Sequence, residues 1–599
     1  MARDSGNNDG VPEYRSRRIA SDPSRASRWR APLALGAALL LGLGVAGAQS
    51  GSQGSAANSV AFADVTERAG ITFRQHNGAS GEMKYPELFG GGVAVLDLDG
   101  DGWPDLLFVD GRDWPASGRR SRHGLYRNNH NGTFTDVLAG SGLDAVSLYG
   151  LGATVADYDN DGRDDVFVTT ADGGRLFHND GKGKFADVTE RAGIRNTTFT
   201  VSAAWVDYDR DGQLDLLIAN YVQWAADKEV VCAQAGVRGY CGPDAYKPTA
   251  PKLYRNLGGG RFEDVTARAG LDHATDKAMS VAVLDYNQDG WPDLFIGSDR
   301  VPAKLYRNDG QGRFVDEGIG AGVALSENGA ARANMGVDAG DYDRSGRPHL
   351  LVGNFLNEML GLYHNDGRGL FHDAAPRSDV GRASLLSLTW AVFFLDFDLD
   401  GFPDIFAVNG GTDESQSMDA RARLSQPPLL LRNRGNGTFE NVTASLGAAI
   451  NRPIMGRGAA YLDFDGDGDV DIALATLDGP AFLFRNDGGN ARNWLRVRTA
   501  GTKTNRSGIG TVVRVTSASG TQWQMVHSGS SYASQSELTL TFGLGRDPRV
   551  SKIEVEWPSG TRQTFTDVAP GQMLTIDETR GLVSEGSARP SSGAAAPPR

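Results

Sequence analysis

The sequence contains the stretch Asp97-Leu98-Asp99-Gly100-Asp101-Gly102-Trp103-Pro104-Asp105-Leu106, which has aspartates at positions 1, 3, 5 and 9 and a glycine at position 6. Carboxylates at this density repel one another unless a cation lies among them. Alternating oxygen ligands suit Ca²⁺, which takes roughly six to eight of them, and the glycine permits a tight turn. An EF-hand would have a glutamate at position 12, where this stretch has Phe108 in an apolar run. The pattern therefore predicts a calcium loop that leads into a β-strand.

Seven copies of this loop occur in the sequence, which is too many for chance runs of acidic residues. In six copies the side chains at positions 1, 3, 5 and 9 and the main-chain carbonyl at position 7 are predicted ligands. These predicted ligands are Asp97, Asp99, Asp101, Trp103 and Asp105; Asp157, Asp159, Asp161, Arg163 and Asp165; Asp207, Asp209, Asp211, Gln213 and Asp215; Asp285, Asn287, Asp289, Trp291 and Asp293; Asp396, Asp398, Asp400, Phe402 and Asp404; and Asp463, Asp465, Asp467, Asp469 and Asp471. In the fifth copy, residues 341–349, Ser345 and His349 replace two acids and argue against calcium. The sequence therefore predicts Ca²⁺ at about six sites.

The composition restricts the class of protein. A chain of 599 residues exceeds one ordinary domain, and its 79 glycines punctuate short apolar runs, which is typical of an all-β repeat protein. The net charge is −14, with the acids concentrated in the loops and no basic stripe along the chain. We therefore expect no nucleic-acid partner.

The N-terminal segment, residues 1–48, has the pattern of a signal peptide. An arginine-rich start leads into the apolar run 32–48, which ends in the cleavage pattern Ala46-x-Ala48. The apolar run is short for a spanning helix, which needs about 20 residues. We therefore expect an exported protein that is secreted, periplasmic or at the cell surface. A membrane association would arise only if this segment remained uncleaved as an anchor.

Cysteine usage agrees with export. Cys232 and Cys241 are the only two cysteines, and both lie in a long insertion between the third and fourth loops. A pair of this kind in an exported protein is most simply a disulfide that braces the insertion. With no histidine beside them, the two cysteines would make a poor zinc site.

The spacing of the loops predicts a β-propeller. Successive loops begin 60, 50, 78, 56, 55 and 67 residues apart, about the length of a four-stranded blade with variable connections. Each repeat shows an apolar strand before the loop, another after it and a third of the type Leu125-Tyr126-Arg127-Asn128. The first six repeats add a fourth that begins at a phenylalanine such as Phe134. The sequence therefore predicts seven blades of four strands.

The fourth-strand signature also occurs once before the first loop, at Phe62-Ala63-Asp64-Val65-Thr66, and does not occur after the last loop. We therefore expect residues 60–71 to supply the outer strand of the seventh blade, which would close a ring over residues 60–490. Closure would leave no open sheet edge. A solenoid of stacked repeats is the alternative, but it needs no borrowed strand.

The calcium pattern stops near residue 491. Six alternating apolar segments follow between residues 494 and 576, separated by glycine and serine turns. They predict a small β-sandwich over residues 491–578. Residues 579–599 are rich in Ser, Ala, Pro and Gly, and we expect them to be a disordered tail.

Several motifs resemble known families. The lead-in Phe89-Gly90-Gly91-Gly92-Val93-Ala94 and the calcium loop resemble the FG-GAP/VCBS repeat of integrin α-chain propellers. The C-terminal module is similar to the ASPIC/UnbV domain. The whole chain resembles the cartilage acidic protein family. The C-terminal motifs are Asn505-Arg506-Ser507-Gly508-Ile509-Gly510, Ser528-Gly529-Ser530-Ser531-Tyr532, Phe542-Gly543-Leu544-Gly545 and Trp557-Pro558-Ser559-Gly560. The resemblance implies calcium binding and an extracellular interaction role, and it implies no reaction.

Two classes of function remain open from the sequence. The first is a non-enzymatic, adhesion-like module that is stabilised by calcium and binds an extracellular protein or a glycan. Trp114, Trp224 and Tyr240 could form a glycan-binding face, or they could pack between blades.

The second class is a calcium-dependent enzyme acting on polysaccharides, since propellers also host catalysis. Its acid or base would lie outside the loops, and the candidates are His76, Glu82, Lys84, Glu87 and Arg457. No Ser-His-Asp signature, phosphate loop or histidine-rich metal motif stands out, so we favour the first class. A third role, as an accessory protein of a biosynthetic pathway, is implied by resemblance alone.

Overall fold

The computed structural model describes residues 60–587, apart from 115–117, 235, 274, 413–418, 420 and 422. The predicted signal segment, residues 1–48, therefore lies outside the described residues. The strands up to Asp487 are β1 Ala61–Asp64, β2 Val93–Leu96, β3 Asp105–Phe108, β4 Gly124–Asn128, β5 Phe134–Asp136, β6 Gly150–Ala156, β7 Asp165–Thr170, β8 Gly173–Gly181, β9 Lys184–Asp187, β10 Thr200–Val206, β11 Asp215–Asn220, β12 Cys232–Gln234, β13 Val237–Gly239, β14 Lys252–Asn256, β15 Phe262–Asp264, β16 Ala278–Leu284, β17 Asp293–Ser298, β18 Lys304–Asn308, β19 Phe314–Asp316, β20 Val337–Gly340, β21 His349–Val352, β22 Gly361–Gly367, β23 Leu370–Asp373, β24 Thr389–Leu395, β25 Asp404–Asn409, β26 Leu429–Asn433, β27 Phe439–Asn441, β28 Gly456–Leu462, β29 Asp471–Thr476 and β30 Phe482–Asp487.

Helices are few and short. Within the described residues the α-helices are α1 Gly318–Ala321 and α2 Asp379–Ser384, and the 3₁₀ turns are Tyr85–Leu88, Ala226–Lys228, Pro243–Ala245, Ala375–Arg377, Thr443–Ser445 and Gly489–Ala491. None of the helices in this part of the chain has the length and apolar character needed to cross a membrane.

Seven four-stranded antiparallel sheets are found among the described residues up to Asp487. Their strand orders, innermost strand first, are β2-β3-β4-β5, β6-β7-β8-β9, β10-β11-β14-β15, β16-β17-β18-β19, β20-β21-β22-β23, β24-β25-β26-β27 and β28-β29-β30-β1. The innermost strand of each sheet contacts the innermost strand of the next sheet, and β28 of the last sheet contacts β2 of the first. The predicted all-β propeller is confirmed, and the seven sheets are called sheets 1 to 7 below.

The last sheet takes its outer strand from the N-terminal part of the propeller. Ala61 pairs with Asp487 and Asp64 with Phe484, so β1 runs antiparallel to β30. The innermost strands read as short apolar runs because neighbouring sheets cover both of their faces. In β6, for example, every residue from Gly150 to Ala156 is buried.

One asparagine at the end of the third strand of each sheet joins that sheet to the preceding one. The Nδ2 group of Asn433 donates to the carbonyl of Tyr342 at 2.7 Å, and Asn128 donates to Phe464 at 2.8 Å, which links sheet 1 to sheet 7. The seven asparagines are Asn128, Asn179, Asn256, Asn308, Asn365, Asn433 and Asn486. These bonds lie in the buried seams between sheets, so they hold the ring together.

The C-terminal domain consists of two further four-stranded sheets. Its strands are β31 Asn493–Ala500, β32 Val512–Ser517, β33 Gly520–Met525, β34 Leu540–Gly545, β35 Val550–Glu556, β36 Arg562–Val568, β37 Gln572–Asp577 and β38 Gly581–Ser587. The sheets have the orders β34-β31-β37-β38 and β33-β32-β35-β36. The core of this domain, which includes Trp557, is continuous with apolar residues of sheets 2 and 3 such as Trp205.

The expected disordered tail over residues 579–599 is wrong at its start. Gly581–Ser587 forms β38, which pairs with β37 in register Ile576 to Leu582. The serine- and proline-rich composition that indicated disorder belongs to residues 588–599, which lie outside the described residues. Pairing with a strand already in place supplies the hydrogen bonds that this short segment could not make alone.

A segment of the C-terminal domain enters the centre of the propeller. Residues 526–537 lie between β33 and β34, contact the innermost strands of six sheets and approach that of sheet 4. The hydrogen bonds join Gln535 to β2 and β6, Ser528 to β10, and Ser531 to β20 and β28; Tyr532 packs on Trp390 of β24, and a methyl group added at Gly529 would lie 3.3 Å from the carbonyl of Val281 in β16. We call residues 526–537 the plug.

The plug makes its densest polar contact through Gln535. Its Oε1 atom accepts from the Thr154 hydroxyl at 2.6 Å and from the Val155 amide at 3.1 Å, and its Nε2 group donates to the Val155 carbonyl at 2.7 Å. All three residues are buried. The C-terminal domain is therefore part of the propeller core and more than an appended module.

We expect Asn433→Ala to destabilise the protein, because two carbonyls, of Tyr342 and Pro403, would lose a buried donor. Each buried group left unpaired costs about 1–3 kcal/mol. Denaturant unfolding measures the loss. Asn436→Ala is the control, since Asn436 is exposed and bonds only to Thr438. Equal stability of the two variants would contradict the role of the asparagine.

We also expect Gln535→Ala to lower the free energy of unfolding, because it leaves buried groups of Thr154 and Val155 unpaired. Each such group costs about 1–3 kcal/mol. The matched control is Gln572→Ala, whose side chain makes one bond, to the Ala569 carbonyl. Thermal unfolding of both variants tests the expectation. If Gln535→Ala melts like Gln572→Ala, the plug does not stabilise the ring.

Candidate metal-binding loops

Each acidic loop connects the first and second strands of one sheet, and strand pairing sets the positions of its two ends. In sheet 1, Leu96 pairs with Asp105, so position 9 lies directly beside the residue that precedes position 1. The same register occurs in sheet 6, where Leu395 pairs with Asp404. The loop must therefore turn back on itself within eight residues, which brings its carboxylates together.

The carboxylate at position 1 closes the turn. In loop 3, Asp207 accepts the amide of Asp211 through Oδ1 and that of Gly212 through Oδ2, both at 3.0 Å. Gly212 has φ +85°, and an added Cβ would lie 2.5 Å from the Lys503 carbonyl. The predicted glycine turn is therefore present, and position 6 also lets the C-terminal domain approach.

The carboxylate at position 9 joins the loop to the seam between sheets. Asp215 accepts the backbone amide of Asn256 at 2.8 Å and that of Tyr208 at 3.2 Å. Asn256 is one of the seven seam asparagines, so the same residue supports both the loop and the contact with the preceding sheet.

One oxygen of the aspartate at position 3 is buried without a hydrogen-bond donor in three of the loops, although the other oxygen of Asp209 accepts from Arg255 at 2.6 Å. In loops 2, 3 and 7 the Oδ1 atoms of Asp159, Asp209 and Asp465 are buried and accept no hydrogen bond. The carboxylate oxygens of positions 1, 3 and 9 lie within 4.8 Å of one another in loops 1 and 2. A buried, unpartnered carboxylate oxygen among other hard oxygens is the donor set that Ca²⁺ prefers, so these residues fit the ion.

The pKa values of the loop aspartates also favour a bound cation. Burial, with the neighbouring carboxylates adding to it, raises the pKa of Asp165 to about 9 and that of Asp157 to about 7. Burial likewise raises the pKa of Asp105 to about 8. Negative charge is therefore disfavoured in these loops when no cation neutralises it.

Loop 5 has a different arrangement. The Nδ1 atom of His349 accepts the Asn365 amide at 2.9 Å, the bond that an aspartate makes in the other loops. Its Nε2 atom lies 2.9 Å from Oδ1 of Asp343. Burial raises the pKa of Asp343, but hydrogen bonds from His349, Ser345 and His364 outweigh it and leave that pKa well below its usual range. The loop is thus closed by imidazole groups.

The residues at position 7 were expected to offer their carbonyls. Their amides donate to the carboxylate at position 5, as Trp103 does to Asp101 and Phe402 to Asp400. The expectation missed the side chain of Asp469, which is fully buried with one oxygen unpartnered. Loop 7 has five aspartates at positions 1, 3, 5, 7 and 9, where the other intact loops have fewer, and this extra acid was the sequence signal for a side-chain ligand.

Basic residues beside the loops were also missed. Arg496 lies 2.6 Å from Asp463 and also pairs with Glu537, Arg492 lies 2.7 Å from Asp398, and Arg498 lies 3.3 Å from Asp97. All three belong to or precede β31, so the C-terminal domain covers the face that carries the loops. A cavity of about 630 Å³ lies between this domain and loops 1, 2 and 7. No sequence spacing relates such pairs, of which Arg498 and Asp97 are 401 positions apart.

The residues considered as a catalytic acid or base each have their own structural partner. Arg457 is fully buried, lies 4.0 Å over the ring of Trp390 and donates to the Leu88 carbonyl. Glu87 is also fully buried and accepts from Tyr240, and burial raises its pKa. Of the remaining candidates, Nε2 of His76 lies 2.6 Å from the Asp113 carboxylate, and Lys84 forms an ion pair with Glu82 at 2.9 Å.

Trp114 and Trp224, two of the three aromatic residues considered for a glycan face, contact each other, and the third, Tyr240, donates to Glu87. Trp114 stacks on Tyr149 with centroids 4.3 Å apart and contacts Trp224 at 5.3 Å. The insertion between β11 and β14 holds them in place. Cys232 and Cys241 form a disulfide there, which confirms the prediction.

The ring of sheets, the repeated loops and the terminal domain define a class of protein with FG-GAP-like repeats and an ASPIC and UnbV domain. The FG-GAP-like repeat family matches residues 97–168, 157–218, 228–296 and 285–352. The ASPIC and UnbV family matches residues 501–583, which include the plug.

Among individual proteins, the chain is similar to cartilage acidic protein 1. It is 29% identical to the Homo sapiens protein over 451 residues, covering 72% of this chain and 62% of that protein. With the Xenopus tropicalis protein the identity is 27% over 452 residues, covering 71% and 64%. The chain thus spans a little under two thirds of the length of these relatives. The predicted resemblance to the cartilage acidic protein family is confirmed.

Solved structures with a likeness to the chain include an Agrocybe aegerita lectin that recognises non-reducing terminal N-acetylglucosamine. The TM-score is 0.39 at 16% identity, covering 66% of this chain and 91% of the lectin. Rhamnogalacturonan lyase YesW gives a TM-score of 0.36 at 15% identity, covering 66% of this chain and 71% of the lyase. Neither likeness bears on the function of this chain.

Proposed function

We propose that this chain is an exported, calcium-binding β-propeller that serves as a non-enzymatic interaction module for an extracellular protein or glycan. The observation that carries the calcium assignment is the carboxylate oxygen at position 3 that is buried and without a donor in loops 2, 3 and 7. The similarity to cartilage acidic protein 1 and the Cys232–Cys241 disulfide support an extracellular location.

The role of the loops in this proposal is structural. Each one ties the first two strands of a sheet together and lies against the asparagine that bonds to the preceding sheet. Bound Ca²⁺ would supply positive charge among carboxylates that otherwise repel one another. Because Arg492, Arg496 and Arg498 reach three of the loops, loop order and docking of the C-terminal domain are coupled.

The partner would bind on the opposite face of the ring, because the C-terminal domain covers the loop face. The insertion between β11 and β14 carries exposed apolar residues on a disulfide-braced hairpin, with Val231 67% and Val237 71% exposed. Exposed apolar side chains on a rigid support are typical of protein-interaction surfaces. The buried contacts of Glu87 and Arg457 support a role without catalysis.

Calcium removal should destabilise the mature protein. A ligand that binds only the folded state stabilises it by about 2.7 kcal/mol per site at a hundredfold excess over Kd. We therefore expect the melting temperature to fall steeply when excess EDTA replaces millimolar Ca²⁺, and metal analysis to find about six ions per chain. An unchanged melting temperature with no bound calcium would refute the proposal.

Single loop variants should remove single ions. We expect Asp211→Ala and Asp400→Ala each to lower the calcium content by one per chain, because each deletes a position-5 ligand of an intact loop. Asp343→Ala should leave the calcium content unchanged, because histidines occupy its loop. Metal analysis after dialysis against limiting calcium distinguishes the variants. Loss of an ion from Asp343→Ala would show that loop 5 also binds calcium.

A further inference from the structure

Sheet 5 holds three of the nine histidines of the chain, and its loop is the one that lost two acids. His349 begins β21, His364 lies in β22 and His372 lies in β23. His364 and His372 stand directly opposite each other in the antiparallel pair β22–β23. Imidazole nitrogen is a ligand for transition metals, whereas Ca²⁺ takes oxygen.

Asp366 lies between the two opposed imidazoles. Its Oδ1 atom is 3.0 Å from Nδ1 of His364, and its Oδ2 atom is 2.8 Å from Nδ1 of His372. The two rings have centroids 5.0 Å apart, and the three ligand atoms lie within 4.8 Å of one another. Ligand atoms of a tetrahedral zinc ion lie roughly 3–3.5 Å apart, given metal–ligand bonds of about 2.0–2.1 Å. The two nitrogen–oxygen distances, 3.0 and 2.8 Å, are close to those values.

We propose that His364, Asp366 and His372 form a binding site for a divalent transition metal of the Zn²⁺ class, separate from the calcium loops. Two imidazole nitrogens and one carboxylate oxygen would bind the ion, and water would complete the coordination. The side chains of Asp366 and His372 are 46% and 56% exposed, so an ion can reach the site from solvent.

The hydrogen bonds of His364 favour metal binding through Nδ1. Its Nε2 atom lies 2.9 Å from Oδ2 of Asp343, a carboxylate that only accepts, so Nε2 carries the proton. In the neutral ring, Nδ1 then presents a lone pair to the carboxylate of Asp366. A metal ion bound by both atoms would relieve the repulsion between these two acceptors, which lie 3.0 Å apart.

Loop 5 supplies the residues that support the ligand His364 from behind. Asp343 accepts from His364 on one oxygen and from His349 on the other, at 2.9 Å each. His349 is fixed in turn, because its Nδ1 accepts the amide of Asn365 and its proton must therefore be on Nε2. A carboxylate behind a ligating histidine orients the ring and raises its basicity.

Sheet 2 provides an internal comparison. His178 occupies the position of His364, and its Nδ1 lies 2.8 Å from Asp180 as that of His364 lies near Asp366. The residue opposite His178 is Ala186, where sheet 5 has His372. Sheet 2 therefore has one imidazole and one carboxylate of the set and lacks the second imidazole.

The test is a calorimetric titration of the full mature chain with Zn²⁺, in millimolar Ca²⁺ to fill the acidic loops. We expect one Zn²⁺ per chain. His372→Ala removes a ligand and should weaken binding by more than the roughly 10- to 100-fold that loss of an outer-shell partner costs. Asp343→Ala removes that outer-shell partner and should weaken binding by roughly 10- to 100-fold. His178→Ala is the matched control and should leave the affinity unchanged.

Co²⁺ substitution adds a readout of the ligands themselves, since visible absorption in the tetrahedral range should appear in the wild-type chain and be lost in His372→Ala. Absence of a stoichiometric Zn²⁺ site would overturn the proposal, and so would a site that His178→Ala abolishes and His372→Ala does not. The result is independent of the calcium proposal. A chain that binds Zn²⁺ at His372 but binds no calcium would refute only the calcium proposal. A chain that binds calcium but no Zn²⁺ would refute only the zinc site.

Discussion

A hydrogen bond from the third-strand asparagine of each sheet to a main-chain carbonyl of the preceding sheet recurs around the whole ring. Apolar side chains and further hydrogen bonds also join neighbouring sheets; for example, the Ser202 hydroxyl donates to the Met279 carbonyl at 2.8 Å, and the Phe394 amide donates to Asp338 at 2.8 Å. The asparagine also donates to a carbonyl of its own loop, as Asn256 does to Leu214, so one side chain fixes both the loop and the seam. The bond from Asn128 to Phe464 completes the cycle, so all seven seams are linked.

The acidic loops depend on this same strand end. The backbone amide of each seam asparagine donates to the residue at position 9, which is an aspartate in six loops and His349 in the fifth. The scaffold therefore accepts either a carboxylate or an imidazole at this position, because the geometric requirement is only for an acceptor. What changes is the chemistry that the loop offers: hard oxygen atoms in six sheets, and imidazole groups with their protons in sheet 5.

The C-terminal domain and the propeller form one structural unit. The plug fills the centre of the ring with small and polar residues, and glycines on the innermost strands make room for it. An added Cβ at Gly152 would lie 2.3 Å from the carbonyl of Ala533. The motif Ser528-Gly529-Ser530-Ser531-Tyr532 thus has a packing role, since small side chains are needed where seven strands converge. This arrangement places the C-terminal domain on the loop face, opposite the disulfide-braced insertion.

The sequence by itself determined the repeat, the loops and the ring, because each rests on local spacing. Aspartates at alternating positions with a glycine at position 6 specify a tight turn, and a displaced Phe62 signature revealed the strand that completes sheet 7. Only the tertiary structure decided the contacts between distant segments. The plug, the arginines that reach the loops, the pairing of β38 and the opposition of His364 to His372 all depend on how separate strands come together, and spacing along the chain carries no record of that.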